Sequence, residues 1–393
     1  MTDTAAALRT LVRDATRFPH FRDKYGKVDL DGDFDLAELP EMTREDVTVA
    51  AEQAAAHRPR AGSAYLFTSG GSTAEPKLAW IPTEMHLGEL TRHWQPLTDT
   101  DVLANLASPG RLWSAHYCYN RVAELAGADV IGLGHVADEE LGQWLSFLTR
   151  HGTTAVAGTP SQLERILRYC ERTGHPFAGT LRVGIWFGEP CGPELPLLRD
   201  RVAPGLGLWG HYGSTETWVI GHNGPGCPVD TFHLLPYQHV ELADGAVLVS
   251  TLHPGAVAPV IRYRIGDRAE EVACPCGRAG RALRIAGREG SLVKFAGTLV
   301  GPHQLVAIAK ELPGVTAAQI VLTGDAGIAE RMEVLVVGEA AEDAVRAHLL
   351  ASQIDLGFAL RGDDEEFTVR RVDTLPANPR TGKTPDFRWV QAH

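Results

Sequence analysis

The chain has 393 residues, 44% of them apolar and 22% charged, a composition that excludes a mostly disordered protein. This length exceeds what one hydrophobic core usually fills, so we expect at least two domains. The net charge of −12 argues against duplex nucleic acid as the main partner. No apolar run of about 18 residues occurs, so we predict no transmembrane helix and no membrane partner.

Helical and strand-like segments alternate along the first part of the chain. Apolar residues at helical spacing predict helices in ALRTLVRDATRF, LGQWLSFLTRHG and SQLERILRYCERTG, the last of which ends at Gly174. Short apolar runs that end in Gly, Pro or Ser predict buried strands in TTAVAGTP, LRVGIWFGEP and LGLWGHYGS. This alternation indicates an α/β sheet, in which the loops at the strand ends hold ligands.

The pattern changes near residue 237 and again over about the last hundred residues. QHVEL, GAVLVST and PVIRYRIGD read as short alternating strands, and QIVLTG, MEVLVVG, DAVRAHLLASQI and FTVRRVDTL indicate a small α+β unit. The Gly-rich GREGS between two strand-like patterns predicts a hinge. We therefore predict one domain of residues 1–289 and a second of residues 290–393.

The segment from Tyr65 to Lys77, YLFTSGGSTAEPK, is the most informative one. An apolar strand is followed by a run of hydroxyl and glycine residues, namely Thr68, Ser69, Gly70, Gly71, Ser72 and Thr73. Glycines let backbone N–H groups turn toward an anion, and Lys77 adds a positive charge, which suits a polyphosphate. A polar surface loop is the alternative.

A Walker A loop is absent from the chain. The sequence Gly382-Lys383-Thr384 resembles the end of that motif, but Ala377 stands where its first glycine is required. A kinase or GTPase therefore loses its main support.

The segment GHYGSTE, from Gly210 to Glu216, follows a predicted strand. An aromatic ring beside a glycine offers a flat face to a base, Thr215 can donate to a phosphate oxygen, and Glu216 can bind Mg²⁺. A helix N-cap is the alternative origin of this pattern.

Two later segments carry single charged residues at chemically useful places. In RYRIGD, the Asp267 carboxylate at a strand end can accept both hydroxyls of a ribose, and Arg288 follows about twenty residues later. In PANPRTGK, a loop presents Lys383. The alternatives are a plain turn aspartate for Asp267, a surface ion pair for Arg288 and a solvated tail for Lys383.

Cysteine and histidine residues at two places suggest a metal. Cys227 stands six residues before His233, and Cys274 and Cys276 form a Cys-Pro-Cys-Gly turn. Together they supply three thiolates and one imidazole, which suits tetrahedral structural zinc. Two loops with buried or free thiols are the alternative. Six cysteines in this length do not indicate a secreted disulfide scaffold, so a cytoplasmic location is the default expectation.

In this order, the phosphate, base, ribose and lysine motifs resemble the adenylate-forming superfamily of acyl-CoA synthetases, peptide-synthetase adenylation domains and luciferases. The resemblance runs through the whole chain and is strongest to the phenylacetate-CoA ligase branch, including its short aryl-acid-activating relatives in antibiotic (phenazine-type) pathways. The opening FPHFRDKYGKVDLDGDFDLAELPEMTREDV is similar to the start of that branch. Some of its members have similar Cys and His positions, which favours zinc here.

The resemblance implies a large α/β N-terminal domain with a β-rich part, a small mobile α+β domain that carries Lys383, and ATP and Mg²⁺ as cofactors. The implied contacts with ATP are Ser69 to Lys77 at the β- and γ-phosphates, Gly188, Glu189, Pro190 and Tyr212 at adenine, Thr215 at the α-phosphate, Glu216 at Mg²⁺, and Asp267 with Arg288 at the ribose. Thr68 and Gly213 are implied as further nucleotide-binding residues. Lys383 would bridge the substrate carboxylate and the α-phosphate.

An acid-binding pocket is implied for the segment PGRLWSAHYCYN and two strand ends. Its expected members are Trp113, His116, Tyr117, Tyr119, Phe187, Trp209 and Gly210. Aromatic walls suit a flat aromatic acid, and His116 could orient its carboxylate. The alternative is that most of these side chains belong to the core.

The chain departs from the family pattern in two ways: it is somewhat short for a phenylacetate ligase, and its hinge differs. Gly290 replaces the acidic residue that is usual at the hinge. Lys294 and Gly297, in VKFAGTLVGP, resemble the segment that lines the thioester-forming state, which leaves coenzyme A use open.

The predicted activity is therefore ATP- and Mg²⁺-dependent adenylation of an aromatic carboxylic acid with release of pyrophosphate, followed by transfer to coenzyme A. The acceptor could instead be an amine or a carrier protein in secondary metabolism. A catalytically inactive nucleotide-binding module is the alternative of another class, and retention of Lys383, Glu216 and Asp267 argues against it. The expected partners are the acid and the acyl acceptor; a homodimer stays open.

Overall fold

The computed structural model describes residues 4–30, 32, 35–57, 62–68, 78–110, 112–288, 293–296, 298–325, 328–353, 356, 360, 366–378 and 382–390. The chain divides into two compact units, Met1–Ala286 and Gly287–His393. The predicted domain boundary at Gly290 stays a prediction, because residues 289–292 lie outside the described ones. None of the described helices is long and apolar enough to span a membrane.

The helices of the first unit flank its sheets. They are α1 (Thr4–Ala15), α2 (Pro19–Tyr25), α3 (Arg44–His57), α4 (Leu87–His93), α5 (Ala115–Ala126), α6 (Leu141–Arg150), α7 (Pro160–Thr173) and α8 (Glu194–Val202), with 3-10 turns at Leu36–Glu38 and Pro176–Thr180.

Helix α7 shows how local sequence determines an element here. Thr159 and Gln162 form a capping box, and Pro160 occupies the first helical position. The helix ends at Gly174, whose φ of +69° is the left-handed conformation that glycine adopts readily. Its buried apolar residues recur at helical spacing, as predicted.

The strands of the first unit are β1 (Ala64–Thr68), β2 (Leu78–Pro82), β3 (Val102–Asn105), β4 (Asp129–Gly132), β5 (Ala155–Gly158), β6 (Val183–Trp186), β7 (Gly207–Ser214), β8 (Trp218–Asn223), β9 (Thr231–Leu234), β10 (Gln238–Ala243), β11 (Ala246–Thr251), β12 (Tyr263–Val272) and β13 (Ala282–Arg288). Strands β1 and β2 form an antiparallel pair. Among the described residues the others form one sheet, in the order β10-β11-β12-β13-β9-β8-β7-β6-β5-β3-β4.

One part of this large sheet is parallel and the rest contains antiparallel pairs. Strands β3 to β7 pair in parallel, and every residue of β5 and β6 is buried, as expected for strands covered on both faces. The pairing becomes antiparallel at β7 and β8. The predicted α/β domain with a β-rich portion is therefore confirmed.

The second unit is a smaller sheet with helices, also as predicted. It contains β14 (Val293–Phe295), β15 (Thr298–Val300), α9 (Pro302–Glu311), β16 (Val315–Asp325), β17 (Ile328–Gly338), α10 (Glu342–Ser352), β18 (Phe367–Arg371) and β19 (Phe387–Val390). Strand β16 pairs antiparallel with β17 and parallel with β19, so the last strand lies beside the first half of a hairpin.

Candidate active site

The turn between β7 and β8 presents two of the predicted nucleotide-binding residues. Thr215 is half-buried and Glu216 is buried. The Ser214 hydroxyl accepts a hydrogen bond from the Thr217 amide at 3.2 Å, which closes the turn. Gly213 lies at a bulge of β7, where an added Cβ would lie 2.2 Å from the carbonyl oxygen of Trp218, so only glycine fits.

Two tyrosine–carboxylate pairs connect this turn to β12. The Tyr263 hydroxyl donates to Glu216 Oε1 at 2.9 Å, and the Tyr212 hydroxyl donates to Asp267 Oδ2 at 2.9 Å. All four side chains are buried. Tyr263 and Asp267 are four residues apart on one strand and therefore lie on the same face. Each element thus supplies one tyrosine and one carboxylate, and the predicted Tyr212, Glu216 and Asp267 come together.

These contacts require a strongly curled sheet. In the strand order, β13, β9 and β8 lie between β12 and β7. In a flat sheet these two strands would be roughly 19 Å apart, four strand spacings. A hydroxyl–carboxylate distance of 2.9 Å means that the sheet bends back and encloses the space between them.

Glu216 also borders a small cavity that is partly open to solvent. The lining is largely apolar and comes from α3, β2, the turn after β7 and the chain before β12, namely Val47, Ala50, Ala51, Leu78–Pro82, His86, Glu216–Trp218, Thr251 and 256–260. A buried carboxylate in apolar surroundings is stable only with hydrogen-bond donors or a cation. The Tyr263 hydroxyl supplies one donor, and the cavity has room for a cation.

The predicted phosphate loop begins at a described residue. Thr68 ends β1 and pairs with Leu78 across the β1–β2 hairpin, and its amide donates to the Leu112 carbonyl at 2.9 Å. The remaining predicted members, Ser69, Gly70, Gly71, Ser72, Thr73 and Lys77, lie outside the described residues.

The predicted adenine-side segment follows β6. Gly188 has a φ of +80°, and the Glu189 carboxylate accepts hydrogen bonds from the hydroxyl of Ser161 and from its amide, the latter at 3.3 Å. Ser161 is in the first turn of α7, so Glu189 satisfies one backbone N–H group at that helix end. Pro190 is exposed. The structure thus assigns Glu189 a contact that the sequence did not suggest.

Aromatic side chains from α5, β7 and three connecting segments form a buried group, which we call the aromatic cluster: Trp94, Trp113, Tyr119, Phe187 and His211. Tyr119 stacks on Phe187 at 4.3 Å between ring centroids, and Trp94 lies 3.9 Å from His211. The Tyr119 hydroxyl is hydrogen-bonded to His211 Nδ1 at 3.1 Å. Burial lowers the pKa of His211 to about 3, so its ring is neutral.

The other predicted pocket residues lie beside the aromatic cluster or outside it. His116 Nδ1 donates to the Ala107 carbonyl at 2.7 Å and Nε2 accepts from Asn120 at 3.1 Å, so both ring nitrogens are engaged within the fold. Tyr117 is 37% exposed and its ring lies 5.5 Å from that of Tyr65. Trp209 is half-buried, with its ring 6.2 Å from that of Trp94.

Gly210 is required by close packing beside the aromatic cluster. An added Cβ would lie 2.3 Å from two ring atoms of Trp186 and 2.7 Å from Asn223 Oδ1.

We expect Gly210→Ala to lower the free energy of unfolding by about 1–3 kcal/mol, the usual effect of overpacking. Urea denaturation measures it. Gly205→Ala is the control, because a Cβ there meets no atom within 4 Å; a loss equal to that of Gly210→Ala would contradict the packing argument.

The four predicted metal ligands converge. Cys227, His233, Cys274 and Cys276 place their ligand atoms within 4.8 Å of one another, and His233 Nε2 lies 3.1 Å from Cys276 Sγ. The residues come from the β8–β9 turn, from β9 and from the turn between β12 and β13, so a bound ion would join two connections of the sheet. Burial lowers the pKa of His233 and keeps its imidazole neutral, the form that binds metals.

A second group of metal-ligand type consists of Glu84, His86 and His253. The imidazole rings pack with their centroids 3.7 Å apart, and the Gly255 amide donates to His253 Nδ1 at 3.0 Å. Ring stacking and an occupied nitrogen suit metal binding less well than the converging cysteine cluster.

Four further predicted residues differ in how far they are described. Arg288 ends β13 and Lys294 lies in β14, but their side chains lie outside the described atoms, as does the whole of Gly297. Lys383 is described within the second unit and is half-buried. Its carbonyl accepts from the Asn378 amide at 2.7 Å.

Sequence reasoning missed Tyr263 and His211 as site residues. Both had an available signal. Tyr263 stands four residues before Asp267 in an alternating strand, which places them on one face. His211 lies between two residues of the predicted base-binding motif.

Comparisons with known proteins agree with this architecture. A family model described as AMP-binding enzyme matches residues 9–290. No curated protein matches the chain. A solved structure of 2-hydroxyisobutyryl-CoA ligase with 2-HIB-AMP, in the postadenylation state, is 17% identical, with a TM-score of 0.68 over 99% of this chain and 88% of that chain. The same ligase with 2-HIB-AMP and CoA, in the thioesterification state, is 17% identical, with a TM-score of 0.62 over 98% and 89%.

A third structure widens the comparison. ATP-bound MatB from Rhodopseudomonas palustris is 20% identical, with a TM-score of 0.57 over 81% of this chain and 66% of that chain. At these identities the likeness is one of fold.

Proposed function

The chain belongs to the AMP-binding enzyme family, and from this premise we propose that it converts a carboxylic acid and ATP into an acyl-adenylate and pyrophosphate. The observation that carries this proposal is the pair of buried carboxylates, Glu216 and Asp267, each held by a tyrosine hydroxyl at the enclosed end of the sheet. The predicted membership of the adenylate-forming enzymes is confirmed at this family level. The phenylacetate-CoA ligase branch remains a prediction.

The residues of the candidate site suit three parts of ATP bound with Mg²⁺: the ribose, the metal ion and the α-phosphate. Asp267 would accept the ribose hydroxyls, Glu216 would bind Mg²⁺ beside the cavity, and Thr215 would donate to the α-phosphate. Mg²⁺ would neutralise charge on the phosphates. We keep the segment from Thr68 to Lys77 as the proposed contact of the β- and γ-phosphates.

The proposed first step is an in-line displacement. A carboxylate oxygen of the acid attacks the α-phosphorus, a new P–O bond forms, and the bond to the bridging oxygen breaks as pyrophosphate leaves. Because carboxylate and triphosphate repel each other, a cation between them stabilises the charge that develops. We assign this role to Lys383, in a C-terminal domain that we propose begins at residue 290.

We propose coenzyme A as the acceptor in the second step. The similarity in fold to a CoA ligase that was solved with CoA supports this choice. Incubation of enzyme, acid and ATP with coenzyme A, an amine or a carrier protein tests it. A product formed only with an amine or a carrier protein would assign the enzyme to acyl transfer in secondary metabolism instead.

We propose an aromatic acid as the substrate. The aromatic cluster supports this, because the rings of Trp113 and Tyr119 each lie against that of Phe187, and all three residues were predicted from the resemblance to line the acid pocket. ATP–pyrophosphate exchange against aromatic, hydroxy and dicarboxylic acids tests the proposal. Exchange only with small aliphatic acids would reject the aromatic substrate but keep the reaction. Binding of ATP without any exchange would indicate an inactive nucleotide-binding module.

We also propose that Cys227, His233, Cys274 and Cys276 bind one structural zinc ion. Their converging ligand atoms support this assignment. Four protein ligands leave no open position for catalysis.

Replacement of Asp267 by alanine is expected to raise the Kd for ATP about 10- to 100-fold, because hydrogen bonds to a charged group contribute about 1.5–3 kcal/mol. Titration calorimetry measures it. Glu270→Ala is the matched control, since Glu270 is an exposed acidic residue on the same strand. Unchanged ATP affinity in a folded Asp267→Ala protein would reject the ribose role.

A further inference from the structure

The loop between Pro376 and Pro385, which we call the Lys383 loop, contains two backbone hydrogen bonds between its own residues. The Asn378 amide donates to the Lys383 carbonyl at 2.7 Å, and the Gly382 amide donates to the Asn378 carbonyl at 2.8 Å. Gly382 has a φ of +69°, which a tight turn requires. These two bonds join the described residues on either side of the turn, 376–378 and 382–385, and neither bond reaches the sheet of the second unit.

One buried side chain makes that attachment on both sides of Lys383. Gln319 lies in β16 and is 0% exposed. Its Nε2 donates to the Pro376 carbonyl at 3.0 Å and to the Pro385 carbonyl at 2.9 Å. Both partners are acceptors, so only the NH₂ group of the amide can satisfy them. Gln319 therefore connects the two ends of the loop through one nitrogen.

The location of Gln319 suits an apolar residue better. Its neighbours Ala318 and Ile320 are buried, and the strand contributes to the core of the second unit. Among the described residues, Gln319 Oε1 has no hydrogen-bond partner. A buried polar side chain is unfavourable unless its bonds compensate, so leucine would be expected if packing alone determined the position.

The strand that follows the loop is held independently. The Ile320 amide donates to the Asp386 carbonyl at 2.8 Å, and His303 Nδ1 is hydrogen-bonded to Asp386 Oδ2 at 2.8 Å. Loss of the Gln319 amide would therefore remove these two attachments of the loop while β19 stays paired with β16.

We propose that Gln319 is a positioning residue that holds the Lys383 loop in its reactive geometry. The inference rests on the proposed role of Lys383 in adenylation. A long lysine side chain acts only if its backbone is placed correctly, and a displacement of about 1 Å can lower a rate about 100-fold.

Hydrogen exchange tests the geometry without reference to activity. Gln319→Met keeps the length and apolar volume of the side chain but has no donor. We expect the Asn378 and Gly382 amides to exchange at least about 10-fold faster, while the Ile320 amide, which donates to Asp386, stays protected. Unchanged exchange at both loop amides would overturn the proposal. Gln319→Leu serves if the methionine variant does not fold.

A double-mutant kinetic cycle that combines Gln319→Met with Lys383→Ala tests whether Gln319 acts through Lys383. We expect Gln319→Met to lower the adenylation kcat about 10- to 100-fold with little change in the KM for ATP, and to have no further effect in the Lys383→Ala background. Losses that multiply in the double variant would show that Gln319 acts independently of Lys383 and would overturn the proposal. Thr316→Ala is the control, since Thr316 is on the same strand and donates to the Val337 carbonyl instead.

A wild-type protein that binds ATP but adenylates no acid would reject the proposed function. The hydrogen-exchange experiment would still decide whether Gln319 positions the Lys383 loop.

Discussion

Replacement of Lys383 by alanine is expected to lower the rate of acyl-adenylate formation about 100- to 1,000-fold and to leave the Kd for ATP within about 3-fold of the wild-type value. The cation would act on charge that develops between the carboxylate and the α-phosphorus, so its loss affects the transition state more than the bound nucleotide. Pyrophosphate exchange measures the first quantity, and titration calorimetry measures the second.

Lys310→Ala is the matched control for this substitution. Lys310 is an exposed lysine on α9 of the same unit, so its loss removes the same charge from the same part of the chain. We expect adenylation within about 2-fold of wild type, as for surface substitutions in general. An equal loss of adenylation and of ATP affinity in Lys383→Ala would mean that the lysine binds nucleotide and does not act in the chemical step.

Zinc removal is the second large effect that we expect. The purified protein should contain about one equivalent of zinc. Cys276→Ser should remove most of the bound zinc and lower the free energy of unfolding by about 3–5 kcal/mol. The reason is topological, since the cluster joins the β8–β9 turn to the turn between β12 and β13. Elemental analysis and urea denaturation provide the two measurements.

Cys191→Ser controls for the loss of a thiol. Cys191 is half-buried, and its thiol donates to the Gly192 carbonyl at 3.6 Å, away from the cluster. This variant should retain its zinc. Cobalt(II) substitution adds a spectroscopic test, because thiolate ligands produce charge-transfer absorption. Wild-type protein with less than about a tenth of an equivalent of zinc would show that the converging thiols are simply free cysteines.

Much of the fold follows from local patterns. The periodicity in SQLERILRYCERTG predicts α7, and Gly174 ends that helix because a left-handed residue is needed there. The fully apolar strands β5 and β6 predict a sheet covered on both faces. These features depend on neighbours within a few residues, so a sequence contains the information directly.

The candidate site was predictable only in its parts. Glu216 and Asp267 stand in recognisable motifs, but no local signal shows that Tyr263 bonds to one and Tyr212 to the other. Those contacts depend on the curvature of a sheet whose intervening strands lie far apart in the chain. His116 is the opposite case. Its motif suggested contact with the substrate carboxylate, but in the fold both of its ring nitrogens form hydrogen bonds, to Ala107 and Asn120.

The class of fold, the order of the motifs and the residue types that suit a magnesium nucleotide can be predicted from the amino-acid sequence, because each depends on short-range spacing and side-chain chemistry. The three-dimensional structure is needed to show which carboxylate pairs with which tyrosine, that four metal-ligand atoms converge, and that Gln319 connects both ends of the Lys383 loop. Such contacts join residues up to 66 positions apart, and their existence depends on how the sheets bend and pair over the whole chain.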